Sequence, residues 1–497
     1  MTGLHWIDGV IVAAYACSMI ALGWYYNRKQ QSTDEYFTGG GAMNPFLIGI
    51  SLFSTLLSTI TYLSSPGEIA KNGPVILAGA LAIPVAYVVV GHFVIPIFMR
   101  YRLTSAYELL EQKLGLSSRL IGAAMFTLLR LAWMATLLNF AANAMLVMLG
   151  WESSWLLPIT IAIGTVALIY SSLGGLRAVV ITDLAQFVLL FGGALLVVAT
   201  VTYRMDGIEW FPDSWDASWK SQPVFSFDPQ VRMTVVGVII MQVVWFICTA
   251  GGDQTAIQRF MATRDASSAR RSYLVNMLAS LSVITLLALV GLCLKGYYES
   301  YPQFLPPGES VASAADKLFP HFIATGFPVG ISGLVVSGMF AAAMSSIDSG
   351  VNSISAVVMT DYVERFRDHP LTNVRRIRTA QAIAVSVGVC VIFGSLLIEH
   401  IPGNLLVVSK RVTDLLVTPI FTLFFTALFV PKSTAAGANA GALSGFATAI
   451  LVAFWNPLID DRSLSVTWIN PTSLTVGITV GCLASWLSRL ATKTDRS

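Results

Sequence analysis

The stretch GMFAAAMSSIDSGVNSISA, from Gly338 to Ala356, lies inside a long apolar segment that starts near Phe327 and continues past Val358. A segment of that length and composition predicts a membrane-spanning helix. Polar side chains nevertheless cluster within it. On a helix, small and hydroxyl side chains share one face here, and a carboxylate lies at the edge of that face. These residues are Ala342, Ser345, Ser346, Ser349 and Asp348.

The oxygen atoms on this face allow two interpretations. Small residues and serines let helices pack closely, and a serine can bond back to its own helix. Hard cations such as sodium prefer a cage of oxygen ligands, and an ionisable residue inside the membrane is costly enough to indicate a function. For the serines alone, packing is the simpler interpretation. Asp348 favours a cation site, because packing does not need a carboxylate.

Composition identifies the chain as a polytopic membrane protein. Of its 497 residues, 55% are hydrophobic and only 11% are charged, whereas about a quarter are charged in soluble proteins. Apolar runs predict thirteen helices. They cover residues 5–26, 45–65, 75–99, 118–148, 155–174, 180–203, 231–251, 272–296, 326–358, 377–398, 404–430, 436–457 and 469–488.

Basic residues predict the orientation of these helices. With the N-terminus outside, twenty of the thirty Lys and Arg residues fall in inner loops and six in outer loops. By the positive-inside rule this predicts an outer N-terminus and an inner C-terminus. The first apolar run is followed by Arg28-Lys29, which is typical of an anchor helix rather than a cleaved signal peptide. We expect a multi-pass protein of the plasma (cytoplasmic or inner) membrane, embedded in lipid.

Charge and motif content argue against other classes of protein. The net charge of +3 follows from the loop bias and indicates no nucleic-acid partner. The five cysteines lie in predicted helices without close spacing, which is typical of small apolar residues rather than of disulfides or a metal site. No phosphate loop, zinc spacing or nucleophile elbow occurs. We therefore expect no catalytic residue and no enzyme activity, and an ion gradient should supply the energy.

Two predicted helices carry internal breaks. The second holds eight Ser and Thr residues and ends at Pro66-Gly67, and the seventh breaks where two glycines precede Asp253 and Gln254. Interrupted helices at corresponding places in two halves point to an inverted-repeat transporter, because unwound backbone offers carbonyls to ions. The alternatives are a packed hydroxyl-rich helix in the first case and a capped helix end in the second.

This pattern predicts one transmembrane transporter domain over residues 1–497. It comprises a leading helix and inner loop (1–44), a first repeat (45–203), a second repeat (231–430) and two C-terminal helices (436–497). Side chains near the two breaks are candidate solute ligands. They are Ser58, Thr61, Glu68, Gln242, Trp245, Asp253 and Gln254.

The fourth and sixth predicted helices carry further charges. Arg130 and Trp133 lie on one face of the fourth, so that face either lines a cavity or lets the arginine reach the membrane surface. Asp183 and Gln186 share a face of the sixth. A carboxylate at that depth needs a cationic partner, and Arg177 is the alternative to an ion site.

The eleventh predicted helix opens with an i, i+4 pair, Lys410 and Asp414. Such pairs stabilise a helix by a few tenths of a kcal/mol, roughly 0.2–0.5. The pair lies near the predicted outer end, so we expect it at the membrane interface rather than in a buried site.

Several motifs resemble the sodium/solute symporter family, and together they are highly specific for it. They are Gly174-Gly175-Leu-Arg-Ala-Val with Thr182-Asp183 and Gln186, Asp253-Gln254 through Gln258-Arg259, Leu103-Thr-Ser-Ala-Tyr-Glu108, and Ser345-Ser346 through Asn352-Ser353. The resemblance implies an all-α fold with a LeuT-type core of five plus five inverted helices, preceded here by one helix and followed by two. It also implies coupling to sodium.

The resemblance further implies ligands for sodium. The main site would use carbonyls of Ser54, Leu57 and Ala342 and the hydroxyls of Ser345 and Ser346. Some members hold a second sodium, whose ligands here would be Asp183, Ser345, Ser349 and Asp348. The family often has a hydroxyl residue at the position of Asp348. This carboxylate would either strengthen the second site or balance a different charge.

The resemblance bears on the solute as well. Pro66-Gly67-Glu68-Ile69 is similar to the branch that carries monocarboxylates, vitamins and iodide. The general pattern is also similar to bacterial sialic-acid symporters, in which an arginine binds the sialic carboxylate. The matching position here is Trp133, with Arg130 one turn away.

We therefore expect sodium-coupled import of a small organic anion, such as a monocarboxylate or a sialic-acid-like sugar acid, by a chain that works as a monomer. The alternatives are a sodium/sugar or a proline-type sodium/amino-acid symporter. A cation channel is the more distant alternative, because the paired breaks and the lack of a repeated filter sequence argue against a pore.

Overall fold

The structure is a computed structural model, and it describes residues 4–29, 40–56, 59–101, 103–219, 223–306, 308–369, 371–459 and 462–494. Over these residues the chain is helical and contains no β-strand. The main helices are α1 Trp6–Lys29, α2 Pro45–Leu56, α3 Thr59–Asn72, α4 Pro74–Tyr101, α5 Tyr107–Leu114, α6 Leu116–Leu149, α7 Leu156–Arg204, α8 Val235–Gly252, α9 Gln254–Met261, α10 Ala266–Ser300, α11 Ala315–Thr325, α12 Ile331–Val363, α13 Asn373–Ile398, α14 Leu405–Phe429, α15 Ala435–Ala453 and α16 Ile469–Thr494.

Within the described residues, eleven helices are long and apolar enough to cross a membrane. A twelfth span results if α2 and α3, which are bent by 61° relative to each other, are taken together. The remaining predicted span corresponds to the shorter apolar stretch Ser153–Ile169. The all-helical, multi-pass class is thus confirmed, and the number of thirteen spans stays a prediction.

Helix α7 contains two of the predicted spans in one element of 49 residues. A straight helix of that length would extend about 74 Å. Ser153, just before the start of α7, lines a surface cavity together with Asp316, which lies at one end of α11. Arg204, the last residue of α7, lines a second cavity together with Thr325, which lies at the other end of α11. Because α11 is only about 16 Å long, α7 must double back. The predicted spans 155–174 and 180–203 are therefore joined within one helical element that changes direction, and not by a loop.

One of the two predicted helix breaks lies where it was expected, and the other does not. The second predicted helix was expected to end at Pro66-Gly67, but these residues lie inside α3, and α2 and α3 are instead two helices bent relative to each other. Helix α2 ends at Leu56 and α3 begins at Thr59, while Leu57 and Ser58 lie outside the described residues. Helix α8 ends at Gly252, and Asp253 has an extended backbone and accepts a hydrogen bond from the Thr255 amide at 2.8 Å. All of α9 is buried, so the second break lies inside the protein.

Helix α12, which contains the stretch quoted first, occupies the centre of the molecule. Every residue from Val335 to Val357 is buried. Glycines allow neighbouring helices to approach its backbone. A Cβ on Gly338 would lie 2.8 Å from the Leu189 carbonyl oxygen of α7. The small residues of α12 therefore allow other helices to pack closely against it, in addition to any role in a cation site.

The leading helix is attached to the start of α12. The carboxylate of Asp8, which is buried, accepts hydrogen bonds from the backbone amides of Gly330 at 2.7 Å and Gly333 at 2.8 Å. A carboxylate at this position satisfies amide groups that lack partners within their own helix and complements the helix dipole. Helix α1 is thus joined to the core by more than apolar contact.

The segment between α7 and α8 packs over the predicted outer ends of the helices. Trp219 donates to the Ala70 carbonyl at 3.1 Å, and Lys295 pairs with Asp216 at 2.8 Å. Partial burial alone would raise the pKa of Asp216, but hydrogen bonds from Lys295 and Ser218 lower that pKa to about 2. This segment is therefore held by specific polar contacts.

The last two long helices, α15 and α16, contact each other backbone to backbone. A Cβ on Gly441 would lie 2.5 Å from the Gly477 carbonyl oxygen, and one on Gly437 would lie 2.5 Å from the Ser485 nitrogen. Small residues four apart on both helices produce this approach. Helix α14 joins the pair, because Thr418 lies 2.7 Å from Ser473, oxygen to oxygen.

Candidate functional site

The end of α2 meets the middle of α12 at Ser346. The Ser346 hydroxyl donates to the Thr55 carbonyl at 3.1 Å and lies 3.5 Å from the Ser54 carbonyl. These carbonyls belong to the last turn of α2, which lacks helical partners. Ala342 is buried one turn earlier on α12. Of the predicted main sodium ligands, Ser54 and Ser346 thus meet, while the Ser345 hydroxyl donates to Asp183 instead. Leu57 lies outside the described residues.

A second polar cluster surrounds Asp183, whose side chain is wholly buried. Its carboxylate accepts hydrogen bonds from Ser51 on α2, at 2.5 Å, and from Ser345 on α12. Ser349 lies next to this cluster, because its hydroxyl is 2.8 Å from Thr55 Oγ1. Three of the residues predicted for a second sodium, Asp183, Ser345 and Ser349, therefore meet between three helices.

The cation in this second cluster is Arg259 of α9. Its guanidinium lies 3.7 Å from the Asp183 carboxylate and donates to Ser51 at 2.9 Å and to Ser349 at 2.5 Å. The suggestion that Asp183 pairs with Arg177 is therefore wrong; Arg177 lies beside Gly40. The oxygen atoms of the cluster thus surround a guanidinium in this conformation.

Asp348 and Gln186 also lie near the leading helix α1. Asp348 is fully buried, but it precedes Ser349 by one position and so points about 100° away around the helix. Tyr15 of α1 lies within electrostatic range of Asp348 and Asp183, and Gln186 donates to the Tyr15 hydroxyl at 3.3 Å. Asp348 follows Ser345 by three positions and so lies about 60° from it around α12; it borders the Asp183 cluster as well as the leading helix.

A cavity of about 140 Å³ lies between the two broken helices. Four predicted solute ligands line it: Thr61, Trp133, Gln242 and Trp245. The two indole rings stack with their centroids 6.4 Å apart. The side-chain polar atoms of Ser64 and Asn276, which also line the cavity, have no hydrogen-bond partner within the described residues. The cavity therefore combines aromatic walls with free polar groups. Ser58 lies outside the described residues.

Arg130 and Asp253 lie behind this cavity instead of lining it. The two side chains form a buried ion pair, and the guanidinium stacks on Trp133 at 5.0 Å from the ring centroid. The Nε and Nη1 atoms of Arg130 have no hydrogen-bond partner among the described residues. In this conformation both charges are satisfied by each other, so Arg130 supports Trp133 and does not reach a solute directly.

Glu68 and Gln254 also lie away from the cavity lining. Glu68 is buried and pairs with both terminal nitrogens of Arg232, at 2.5 and 2.6 Å. Gln254 donates to the Thr104 carbonyl and accepts from the Ala106 amide, both at 2.7 Å. Both side chains therefore fasten segments of the chain to each other in this conformation.

Lys410 is a cavity residue that sequence reasoning placed at the membrane interface, and that placement is wrong. It lines the same cavity as Thr61 and Gln242. Its ammonium lies 5.7 Å from the Trp245 ring centroid and 3.5 Å from the carboxylate of Asp414, which is fully buried. The i, i+4 spacing correctly indicated the pair, but helical periodicity alone does not show how deep α14 lies.

Several known proteins resemble this chain over most of its length. The sequence model of the sodium:solute symporter family matches residues 36–445. The chain belongs to this family. This symporter is 27% identical over 452 residues to a sodium/sialic acid symporter of Proteus mirabilis, covering 88% of this chain and 87% of that one. It is 26% identical over 457 residues to the human sodium-coupled monocarboxylate transporter 1, covering 90% and 73%.

Solved structures show the same fold. A Na⁺-coupled sialic acid symporter in a substrate-bound, outward-open state superposes with a TM-score of 0.80 at 24% identity, covering 97% of this symporter and 98% of that chain. A nucleobase-cation-symport-1 family transporter superposes with a TM-score of 0.55 at 13% identity, covering 92% and 95%. The LeuT-type fold is thus confirmed. The protein is a multi-pass, sodium-coupled transporter of a small solute and not an enzyme.

Proposed function

We propose that this symporter imports a small organic anion, bound in the cavity beside Lys410 and coupled to a sodium ion bound between α2 and α12. One feature carries the proposal. The end of α2 belongs both to the cavity and to the proposed sodium site, because Leu56 lines the cavity and the Thr55 carbonyl contacts Ser346. A sodium ion at Ser346 would fix the backbone that shapes the cavity. Binding of the ion and of the solute would then favour the same conformation.

The charge of the solute follows from the cavity lining. Lys410 is the cationic side chain among the described residues that line this cavity. Its ammonium has three N–H donors, and Asp414 accounts for one ion-pair contact at 3.5 Å. A solute carboxylate could accept another, while Gln242 and Asn276 offer neutral hydrogen-bonding groups and the tryptophan rings cover apolar surface. A monocarboxylate or a sialic-acid-like sugar acid has all three features.

Sodium binding is tested with Ser346→Ala. The variant loses one oxygen ligand, so we expect the sodium concentration for half-maximal uptake to rise about tenfold or more, the equivalent of about 1.4 kcal/mol. Ser337→Ala is the matched control, because Ser337 is buried on the same helix and bonds to its own backbone at Gly333. Equal sodium dependence in both variants would rule out Ser346 as a ligand.

The solute class is tested by competition in proteoliposomes with an inward sodium gradient. Small carboxylates should inhibit uptake of a labelled acid, and Lys410→Met should abolish that inhibition. Lys317→Met is the control, because Lys317 is half-exposed and pairs with Glu309 away from the cavity. Inhibition by neutral sugars alone would contradict the proposal.

A neutral solute is the second candidate, on one observation. The stacked Trp133 and Trp245 rings, and the Asn276 amide, which has no hydrogen-bond partner among the described residues, suit the apolar face and the hydroxyls of a sugar, or the side chain of an amino acid. In that case Lys410 would be neutralised by Asp414, and Lys410→Met would leave solute affinity nearly unchanged. The competition assay therefore separates the two candidates.

We further propose that residues 45–203 and 231–430 form the two inverted repeats and rock against each other in alternating access. The protein would lie in the plasma or inner membrane with its N-terminus outside, as the basic inner loops indicate, and would work as a lipid-embedded monomer. Cysteine labelling of an introduced residue near Gly3 from each side of the membrane tests the orientation.

A further inference from the structure

Arg259 is a fully buried cation, and each of its three guanidinium nitrogens donates a hydrogen bond. Its Nε donates to Ser51 at 2.9 Å, Nη2 to Ser349 at 2.5 Å, and Nη1 to the Thr255 carbonyl of its own helix at 3.1 Å. The side chain has no exposed surface. Burying an arginine is costly unless a counter-charge and acceptors surround it. The surrounding oxygen atoms are therefore arranged around this guanidinium.

The same oxygen atoms have the chemistry of a site for a small cation. One carboxylate, from Asp183 on α7, and three hydroxyls, from Ser51 on α2 and from Ser345 and Ser349 on α12, converge from three helices. Carboxylate and hydroxyl oxygens are the ligands that hard cations prefer. The arrangement holds one negative charge from Asp183 and one positive charge from Arg259. Asp183 and Arg259 thus balance each other's charge without any bound ion.

We propose that Arg259 is the resident cation of the Asp183 cluster and excludes a second sodium from it. A sodium ion placed there would add a positive charge beside a buried guanidinium. Of the nearby carboxylates, Asp253 is already paired with Arg130. Asp348 is fully buried next to Ser349, but the Arg259 guanidinium donates to Ser51, Ser349 and the Thr255 carbonyl, so it already occupies the oxygen atoms that a sodium ion would need. The inference rests on the proposed main sodium site, which lies between α2 and α12 and does not include Arg259. It sets the coupling at one sodium per cycle.

A purely structural ion pair makes a different prediction. If Arg259 only fastens α9 to α2 and α12, removing its charge lowers stability and creates no ion site. If it occupies a cation position, removing its charge leaves Asp183, Ser345 and Ser349 available to sodium. The number of sodium ions bound at equilibrium distinguishes these cases without any measurement of transport.

The experiment is equilibrium binding of ²²Na⁺ to the purified full-length chain in lipid nanodiscs. We expect one sodium per chain in the parent and in Arg259→Lys, which keeps the charge. Arg259→Gln should bind two, and adding Asp183→Asn to it should return the count to one. Size-exclusion chromatography and thermal unfolding show that each variant is folded.

Two results would overturn the inference. The first is a parent that binds two sodium ions and loses one in Asp183→Asn; this count stays decisive even if Arg259→Gln does not fold. The second is a folded Arg259→Gln that binds no more sodium than the parent. A parent that binds none, with one ion gained in Arg259→Gln, would uphold the role of Arg259 and refute the main site instead.

Discussion

The buried pair of Arg130 and Asp253 allows a quantitative prediction for Asp253→Asn. Both side chains are almost wholly inaccessible, at 1% and 4% exposure, and two of the three guanidinium nitrogens of Arg130 lack other partners within the described residues. Removing one partner of such a pair typically costs about 3–5 kcal/mol, because the remaining charge is buried without compensation. Asparagine caps a helix as well as aspartate does, so the cap on α9 is retained and the change isolates the charge.

The expected shift of the thermal midpoint follows from the chain length. With about 2.1 cal/mol/K of unfolding entropy per residue and 497 residues, 1 kcal/mol corresponds to about 1 °C if the chain unfolds as one unit. Asp253→Asn should therefore unfold about 3–5 °C below the parent in fluorescence-detected thermal unfolding. The double variant with Arg130→Met, which leaves no charge, should recover most of this loss. A single variant as stable as the parent, or a double variant no better than the single, would refute this account of the pair.

Three further predictions concern stability. Gly338→Ala should lower the thermal midpoint, because a Cβ there meets a backbone carbonyl at 2.8 Å. Gly192→Ala is the control and should be neutral or stabilising, because there is open space around it. Equal effects of the two substitutions would show that the helix crossing can relax. Glu68→Gln should lower the midpoint by several degrees, since it leaves an arginine without its bidentate partner. Glu309→Gln, in a pair whose lysine is half-exposed, should change it less. Asp216 has a lowered pKa of about 2. Its contribution to the stability of the fold is therefore present above its unfolded pKa near 4 and is lost as pH falls from about 4 toward 2. The difference in thermal midpoint between the parent and Asp216→Asn should shrink over that range, and a constant difference would contradict the pairing.

Much of the fold follows from composition and spacing. Apolar runs separated by basic loops predicted the multi-pass class, and glycines beside Asp253 predicted the second helix break. Both depend on local properties of the chain, namely hydropathy and backbone freedom. The change of direction in α7 was predicted as a loop, because helix-breaking glycines do not reveal whether the backbone stays helical through the turn.

The candidate site was predictable only in part. The hydroxyl face of Ser345 and Ser346 was visible because one helix carries it. Arg259 falls between the predicted spans 231–251 and 272–296, so it was expected in an inner loop. In the structure it lies on a wholly buried helix and is the partner of Asp183. Such a pairing joins residues 76 positions apart on different helices, so no periodicity within one helix reveals it. The depth of Lys410 was missed for the same reason.

The backbone contact between α15 and α16 has a practical consequence. Small residues recur four apart on both helices, and the structure shows that they face each other across the contact. Helices that touch without an intervening layer of side chains cannot slide past each other, so the pair and the attached α14 should behave as one stiff body. A folded protein fused in continuous helix to the end of α16 would inherit that stiffness. The fused protein would give this membrane-embedded transporter a marker for particle alignment in electron cryomicroscopy.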